Sequence, residues 1–169
     1  MQGKFKILNS DFQFSVLSFQ LKRGFTILEM LIAIAVLVIL ATIIIGAMAN
    51  FRDSSEFNRA VDEVVAIIRE ARSKTLASED GFQFGIHFES SRVVLFKGTS
   101  FVDSDPNNKV LTLSGRVEIF NINITGGNVV FERLTGDANP SGDVSVRLKN
   151  DLTNTETIII GSGGLVYVQ

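Results

Sequence analysis

Twenty-two consecutive residues, Met30 to Phe51, carry no charge and no proline. A helix over that run is roughly 33 Å long, close to the ~30 Å hydrocarbon thickness of a bilayer. The run therefore reads as a membrane helix. One acid, Glu29, sits just inside its start. A carboxylate at bilayer depth costs about 2.5–3.5 kcal/mol on insertion scales, so an acid at this position is a functional residue by default.

The flanks orient the segment. Residues 1–24 hold Lys4, Lys6, Lys22 and Arg23 against Asp11, while every other acid lies beyond them. A basic flank before an apolar run keeps the N-terminus in the cytoplasm. The acidic remainder then faces the other side of the membrane, and its sign argues against a broad electrostatic nucleic-acid surface. The chain has no Cys and one His. A disulfide framework and a Cys- or His-rich metal site are thereby excluded.

Three readings of the N-terminal segment compete. A secretory signal peptide fits Lys22 and Arg23, and Ala47-Met48-Ala49 loosely mimics a cleavage site, but the apolar run is too long. A plain signal anchor explains the basic flank and the run, though not Glu29 or Gly24 directly after two bases. The third reading uses all of these features. The stretch Gly24-Phe25-Thr26-Ile27-Leu28-Glu29-Met30-Leu31-Ile32-Ala33 resembles the class III signal of type IV pilin and type II secretion pseudopilin precursors.

That resemblance implies a prepilin peptidase that cuts between Gly24 and Phe25 and N-methylates Phe25. It makes Glu29 the fifth residue of the mature chain. In a filament the α-amine of a neighbouring subunit can then sit near Glu29 inside an apolar bundle. At low effective dielectric such a pair is far more favourable than either charge alone, so it rewards correct axial register. Major pilins often have a proline where this chain has Gly46. Glycine costs about 1 kcal/mol relative to alanine in a helix interior, against ~3 for proline, so Gly46 is the candidate position for local melting on assembly.

Beyond Asn50 the pattern changes. Phe57, Val61, Val64, Val65, Ile68 and Ala71 form one apolar helical stripe, with charged residues from Arg52 to Arg72 mostly off it. Those charges read as a solvated face, with Glu56 and Arg59 spaced to pair across a turn. Ser78-Glu79-Asp80-Gly81 ends the helix. Phe25 to Ser78 is thus expected as one helix. Next, Phe82, Phe84, Ile86 and Phe88 alternate with polar or small residues, which predicts a half-buried strand with His87 facing outward. Further strands are expected at 92–96, 110–113, 117–124, 129–133, 144–149, 157–160 and 165–168. Gly126-Gly127 reads as a hairpin, Gly161-Ser162-Gly163-Gly164 as a turn and Asp137 to Asp143 as a loop. The fold class is α+β, pilin-like: a long N-terminal helix packed on a C-terminal antiparallel sheet.

The second half is similar to the GspH/FimT family of minor pilins and pseudopilins in three places: Glu70–Ala77, Val130–Gly136 and Ile158–Val168. Some members of that group bind DNA through basic residues around the C-terminal strands. Here Thr157 to Gln169 has no Lys or Arg, which counts against DNA binding. Asp103, Asp105 and Asn107 offer oxygen ligands that suit Ca²⁺. The loop lacks the Gly and terminal Glu of an EF-hand, and Asp, Asn and Pro favour turns for local reasons. A polar turn is the expectation, with no metal or other cofactor assigned. No paired carboxylates or Ser/His/Asp set stands out, so no enzyme activity is expected.

The organisation implied is a cytoplasmic leader at 1–24, a transmembrane or filament-core half-helix at 25–51, an amphipathic half-helix at 52–80, and a periplasmic β-sheet domain at 81–169. The resemblance makes the chain a single-pass inner-membrane subunit of a type II secretion pseudopilus, used for protein secretion. The alternatives are a minor type IV pilus subunit or a DNA-uptake pilin. Its implied partners are prepilin peptidase, other pilin or pseudopilin subunits, an inner-membrane assembly platform, and membrane lipid before assembly.

Overall fold

The structure is a computed structural model that describes residues 24–169. The expected leader, including the basic pair Lys22 and Arg23, lies outside the described residues except for Gly24. The chain divides after Thr42 into two units. One helix, α1 (Ile27–Leu76), spans the division and is unbroken at Gly46.

Within the second unit the expected stripe is the buried face of α1. Phe57, Val61, Val64, Val65, Ile68 and Ala71 are all buried, joined by Ala60 and Ile67. Each large side chain removed from water contributes roughly 1.5–3 kcal/mol, so packing rather than helix propensity holds this half in place. Buried Thr75 completes the face. Its hydroxyl donates to the Ala71 carbonyl and accepts the Phe84 N–H at 2.9 Å, tying the last helical turn to the first strand. The α-helix stops at Leu76, two residues before the expected end. Ser78 adopts the left-handed conformation (φ +50°) that ends it, and a 3₁₀ turn follows at Glu79–Gly81.

Among the described residues nine strands follow: β1 (Phe84–Phe88), β2 (Arg92–Lys97), β3 (Lys109–Thr112), β4 (Val117–Asn123), β5 (Asn128–Phe131), β6 (Ala138–Asn139), β7 (Gly142–Leu148), β8 (Thr155–Ile160) and β9 (Val166–Val168). They form two antiparallel sheets, ordered β3-β2-β1-β5-β6 and β4-β7-β8-β9. Apolar residues from α1 and both sheets share one core.

Three expectations fail locally. Gly126-Gly127 does not close a hairpin; both glycines have positive φ in a short 3₁₀ turn that carries the chain from β4 in one sheet to β5 in the other. The segment read as a loop at 137–143 contains β6, which pairs Ala138 with Phe131 and Asn139 with Val130. Finally, β1 is buried on both faces, because Phe96 of β2 covers Gly85 and Phe101 stacks on His87 on the same face. A period of two in the sequence shows which side chains share a face; it does not show that one face is wet.

Candidate functional site

Gly24 and Phe25 precede the helix and are exposed. Among the described residues, no atom lies within 4 Å of where a side chain at Gly24 would sit. Thr26 caps α1. Its hydroxyl accepts the Glu29 N–H at 3.2 Å, and its carbonyl accepts the Met30 N–H at 3.1 Å. Thr26-x-x-Glu29 has the capping-box spacing, a sequence signal that the reading of this segment passed over. The expected helix start at Phe25 thus moves to Ile27. Glu29, exposed in the first turn, also lies where the helix dipole favours an anion by roughly 0.3–1 kcal/mol.

The apolar run leaves its side chains bare. Phe25, Ile27, Leu28, Leu37 and Ile45 are each more than 60% exposed. The helix is long and apolar enough to cross a membrane. Leucine and isoleucine side chains exposed all round a helix are stable only when lipid or other helices cover them. The site is therefore an exposed Gly24-Phe25 pair, an acid three residues into a capped helix, and an apolar surface that awaits cover.

The other singled-out residues lie in the second unit. His87 is not an outward surface side chain, being only 17% exposed. Its ring stacks on Phe101 (centroids 4.0 Å apart, planes 12° apart), with Asn128 Oδ1 2.7 Å from Nδ1 and Glu89 Oε1 3.3 Å from Nε2. The chain between β2 and β3 folds back over this face. Arg92 fastens it, donating two hydrogen bonds to Glu89 and one to Asp103 Oδ1 at 2.9 Å. The hydrogen bonds from Arg92 hold the Glu89 carboxyl below its ordinary range. Asp105 Oδ1 accepts both the backbone and side-chain N–H of Asn107, which lowers its pKa in turn. The three candidate Ca²⁺ ligands thus form a local turn, with Asp103 directed to Arg92. Among the described residues no group of three metal-ligating side chains occurs.

Four charges expected on a solvated face, Asp53, Glu56, Glu70 and Arg72, have partners outside the helix instead. Glu56 lies 3.8 Å from Arg116, which also pairs with Asp53, and Glu70 meets Lys109 at 2.7 Å, whereas Arg59 bonds Glu63 at 2.9 Å and not Glu56. Arg72 reaches inward. Its Nε donates to the Gly136 carbonyl at 3.1 Å and its Nη2 to the Gly163 carbonyl at 3.3 Å. The three segments similar to the GspH/FimT family meet at that guanidinium.

Comparison with known proteins bears on both halves. Residues 20–45 match the prokaryotic N-terminal methylation motif. The chain carries a prepilin motif on a pilin-like fold. The minor pseudopilin EpsH of the Vibrio cholerae type 2 secretion system aligns with 68% of this chain and 96% of its own, with a TM-score of 0.52 and 11% identity. The Pseudomonas aeruginosa type IV minor pilin FimU aligns with 70% of this chain and 92% of its own, with a TM-score of 0.55 and 11% identity. At that identity the likeness concerns the fold. A comparison with curated protein sequences finds no match. The pilin-like architecture, one long helix packed on antiparallel sheets, is as the sequence implied.

Proposed function

We propose that this chain is a minor pseudopilin, a structural subunit of a type II secretion pseudopilus. The observation that carries the reading is the prepilin motif, with Gly24, Phe25 and Glu29 at its head and a bare apolar helix behind it. Prepilin peptidase cuts after Gly24 and methylates Phe25. The subunit waits in the inner membrane with its sheets in the periplasm until an assembly platform draws it into a filament. There the apolar half of α1 packs against neighbouring helices, and Glu29 pairs with the Phe25 amine of another subunit. The role is structural, and no reaction, cofactor or metal is assigned to it.

A second reading, a minor subunit of a type IV pilus, is supported by the likeness to FimU. Mass spectrometry of the mature N-terminus tests what both readings share. An N-methylated Phe25 is expected, and a chain that still begins at Met1, or one starting at Asn50, overturns them. Deletion in the native host separates the two. Loss of exoprotein secretion with surface pili retained supports the pseudopilus; loss of pili with secretion intact supports the pilus.

A further inference from the structure

The four-stranded sheet ends in the three-residue strand β9, which has one free edge. Thr157 and Gln169 exchange both backbone hydrogen bonds, and Gly161 donates to the Leu165 carbonyl, each at 2.9 Å. Bonded and non-bonded pairs alternate along an antiparallel ladder. With Ile160 opposite Val166 and Ile158 opposite Val168, these two valines direct their N–H and C=O groups away from β8. No described residue hydrogen-bonds them. The other edge of this sheet, β4, is broken by a bulge between Ile119 and Asn121, and edge strand β3 begins with Lys109. Such features block unwanted pairing. The β9 edge has neither charge nor bulge, and Leu165, Tyr167 and Val168 are 54%, 52% and 44% exposed.

Beside this edge, the end of α1 forms the wall of a cleft of about 360 Å³, lined by Arg69, Arg72, Ser73, Leu76, Leu165 and Val166. The lining includes two guanidinium groups and no carboxylate. Arg72 donates to carbonyls, and Arg69 has no carboxylate within 4 Å among the described residues. From the open edge and this one-signed cleft we infer that β9 accepts an extended, acidic segment of a partner protein as an added strand. Backbone pairing with Val166 and Val168 provides the hold, as in other strand-addition complexes. An acidic side chain of the added strand, on the face of Val166, reaches Arg69. Two donors and two acceptors at strand spacing, rimmed by apolar side chains, match a polypeptide backbone and not a phosphodiester chain.

The test uses the full chain in detergent micelles and a labelled, blocked eight-residue peptide of alternating Val and Thr with one central Glu. A twin peptide carries Lys in place of Glu. The Glu peptide should bind and slow hydrogen exchange at the Val166 and Val168 amides. The Lys peptide should bind at least about tenfold more weakly, the worth of roughly one charge-assisted contact. Arg69→Glu should reverse that preference. Val168→Pro removes an outward N–H that bonds no described residue, at the cost of a fixed φ at the strand end, so it should weaken the Glu peptide far more than it lowers the melting temperature. Equal binding of the two peptides overturns the proposal, as does unaltered exchange at Val166 and Val168. Protection of those amides that rises with chain concentration alone also overturns it, because the occupant is then a second copy. Should Val168→Pro fail to fold, the Arg69→Glu reversal still decides the matter.

Discussion

Arg72 joins parts of the chain that are far apart in sequence, and its removal gives a worked test of how the fold is fastened. The guanidinium donates from two different nitrogens to carbonyls in two different turns, Gly136 and Gly163. A hydrogen bond involving a charged group is worth about 1.5–3 kcal/mol net. The Gly136 bond is partly buried and takes that value. The Gly163 bond is exposed and longer, so it adds a few tenths. Arg72→Met keeps the stem and deletes both donors, and should cost about 2–3 kcal/mol, or roughly 8–12 °C in melting temperature for a folded unit of this size. Arg72→Lys keeps a charge on a single nitrogen and can serve one carbonyl, so about half the loss is expected. Gly164→Ala attacks the same knot from the other side: the residue is left-handed (φ +71°), and the new methyl would run into the Gly136 carbonyl and the Arg72 side chain. Its cost should be at least about 2 kcal/mol. Because the two changes share one contact, the double variant should lose about 1 kcal/mol less than the sum of the singles. Urea unfolding of the detergent-solubilised chain, followed by circular dichroism, measures all four. A loss below about 0.5 kcal/mol for Arg72→Met, or additivity within about 0.3, refutes the reasoning.

Three further outcomes are expected. Glu29→Ala should leave membrane insertion intact and reduce incorporation into filaments. Thr26→Ala, which removes only the cap at a helix-level cost of about 1 kcal/mol, should incorporate nearly as well as the wild type; equal incorporation of all three removes the register role of Glu29. Phe57→Ala opens a cavity at a side chain only 1% exposed and should cost about 3–5 kcal/mol in the same urea assay, so a loss under 1 shows that the helix does not depend on this contact. The Glu89 carboxyl is held below its ordinary value of 4.5, first by Arg92, so its contribution is complete above that pH and is lost as pH falls through the lowered value. The protection of amides over residues 98–108, taken relative to their intrinsic exchange rate at each pH, should therefore be constant from pH 5 to 7 and fall only below the ordinary value of 4.5; a change confined to the higher range assigns the clasp to another group.

Local physics was legible in the sequence and sheet assignment was not. The α1 stripe from Phe57 to Ala71 follows from a 3.6-residue period that any buried helix face must show. Eight of the nine strands follow from β-branched and aromatic runs bounded by turn residues. Gly126-Gly127 misleads because a pair of left-handed glycines serves equally well to return a strand along its neighbour or to send it to another sheet. His87 misleads for a related reason. Alternation along β1 gives its face correctly, but what covers that face, Phe101, comes from a later loop. Thr26 was legible in principle, since its spacing to Glu29 is local. The partners of Arg72 and Glu56 were not, because 64 residues separate Arg72 from Gly136 and no local period records such a meeting.

The convergence on Arg72 also changes what the C-terminal resemblance means. The three segments similar to GspH/FimT proteins supply the guanidinium, one accepting turn and the other accepting turn. Both turn positions need glycine for conformational reasons, Gly136 and Gly164 each at φ +71°. A pattern of arginine plus two glycine turns is therefore explained by the fastening of helix to sheets, with no ligand required. In this chain it fastens helix to sheets, whichever filament system the chain serves. Features that distinguish one system from another have to lie where the fold is not over-determined. In this chain the 98–108 segment clasped by Arg92 and the edge of β9 beside Arg69 are the places to test for such features. Glu29 belongs to neither class: the helix cap sets its place locally, and its proposed pairing with a neighbouring subunit's amine lies outside the fold altogether. That is why exchanging it tests assembly and exchanging Arg72 tests folding.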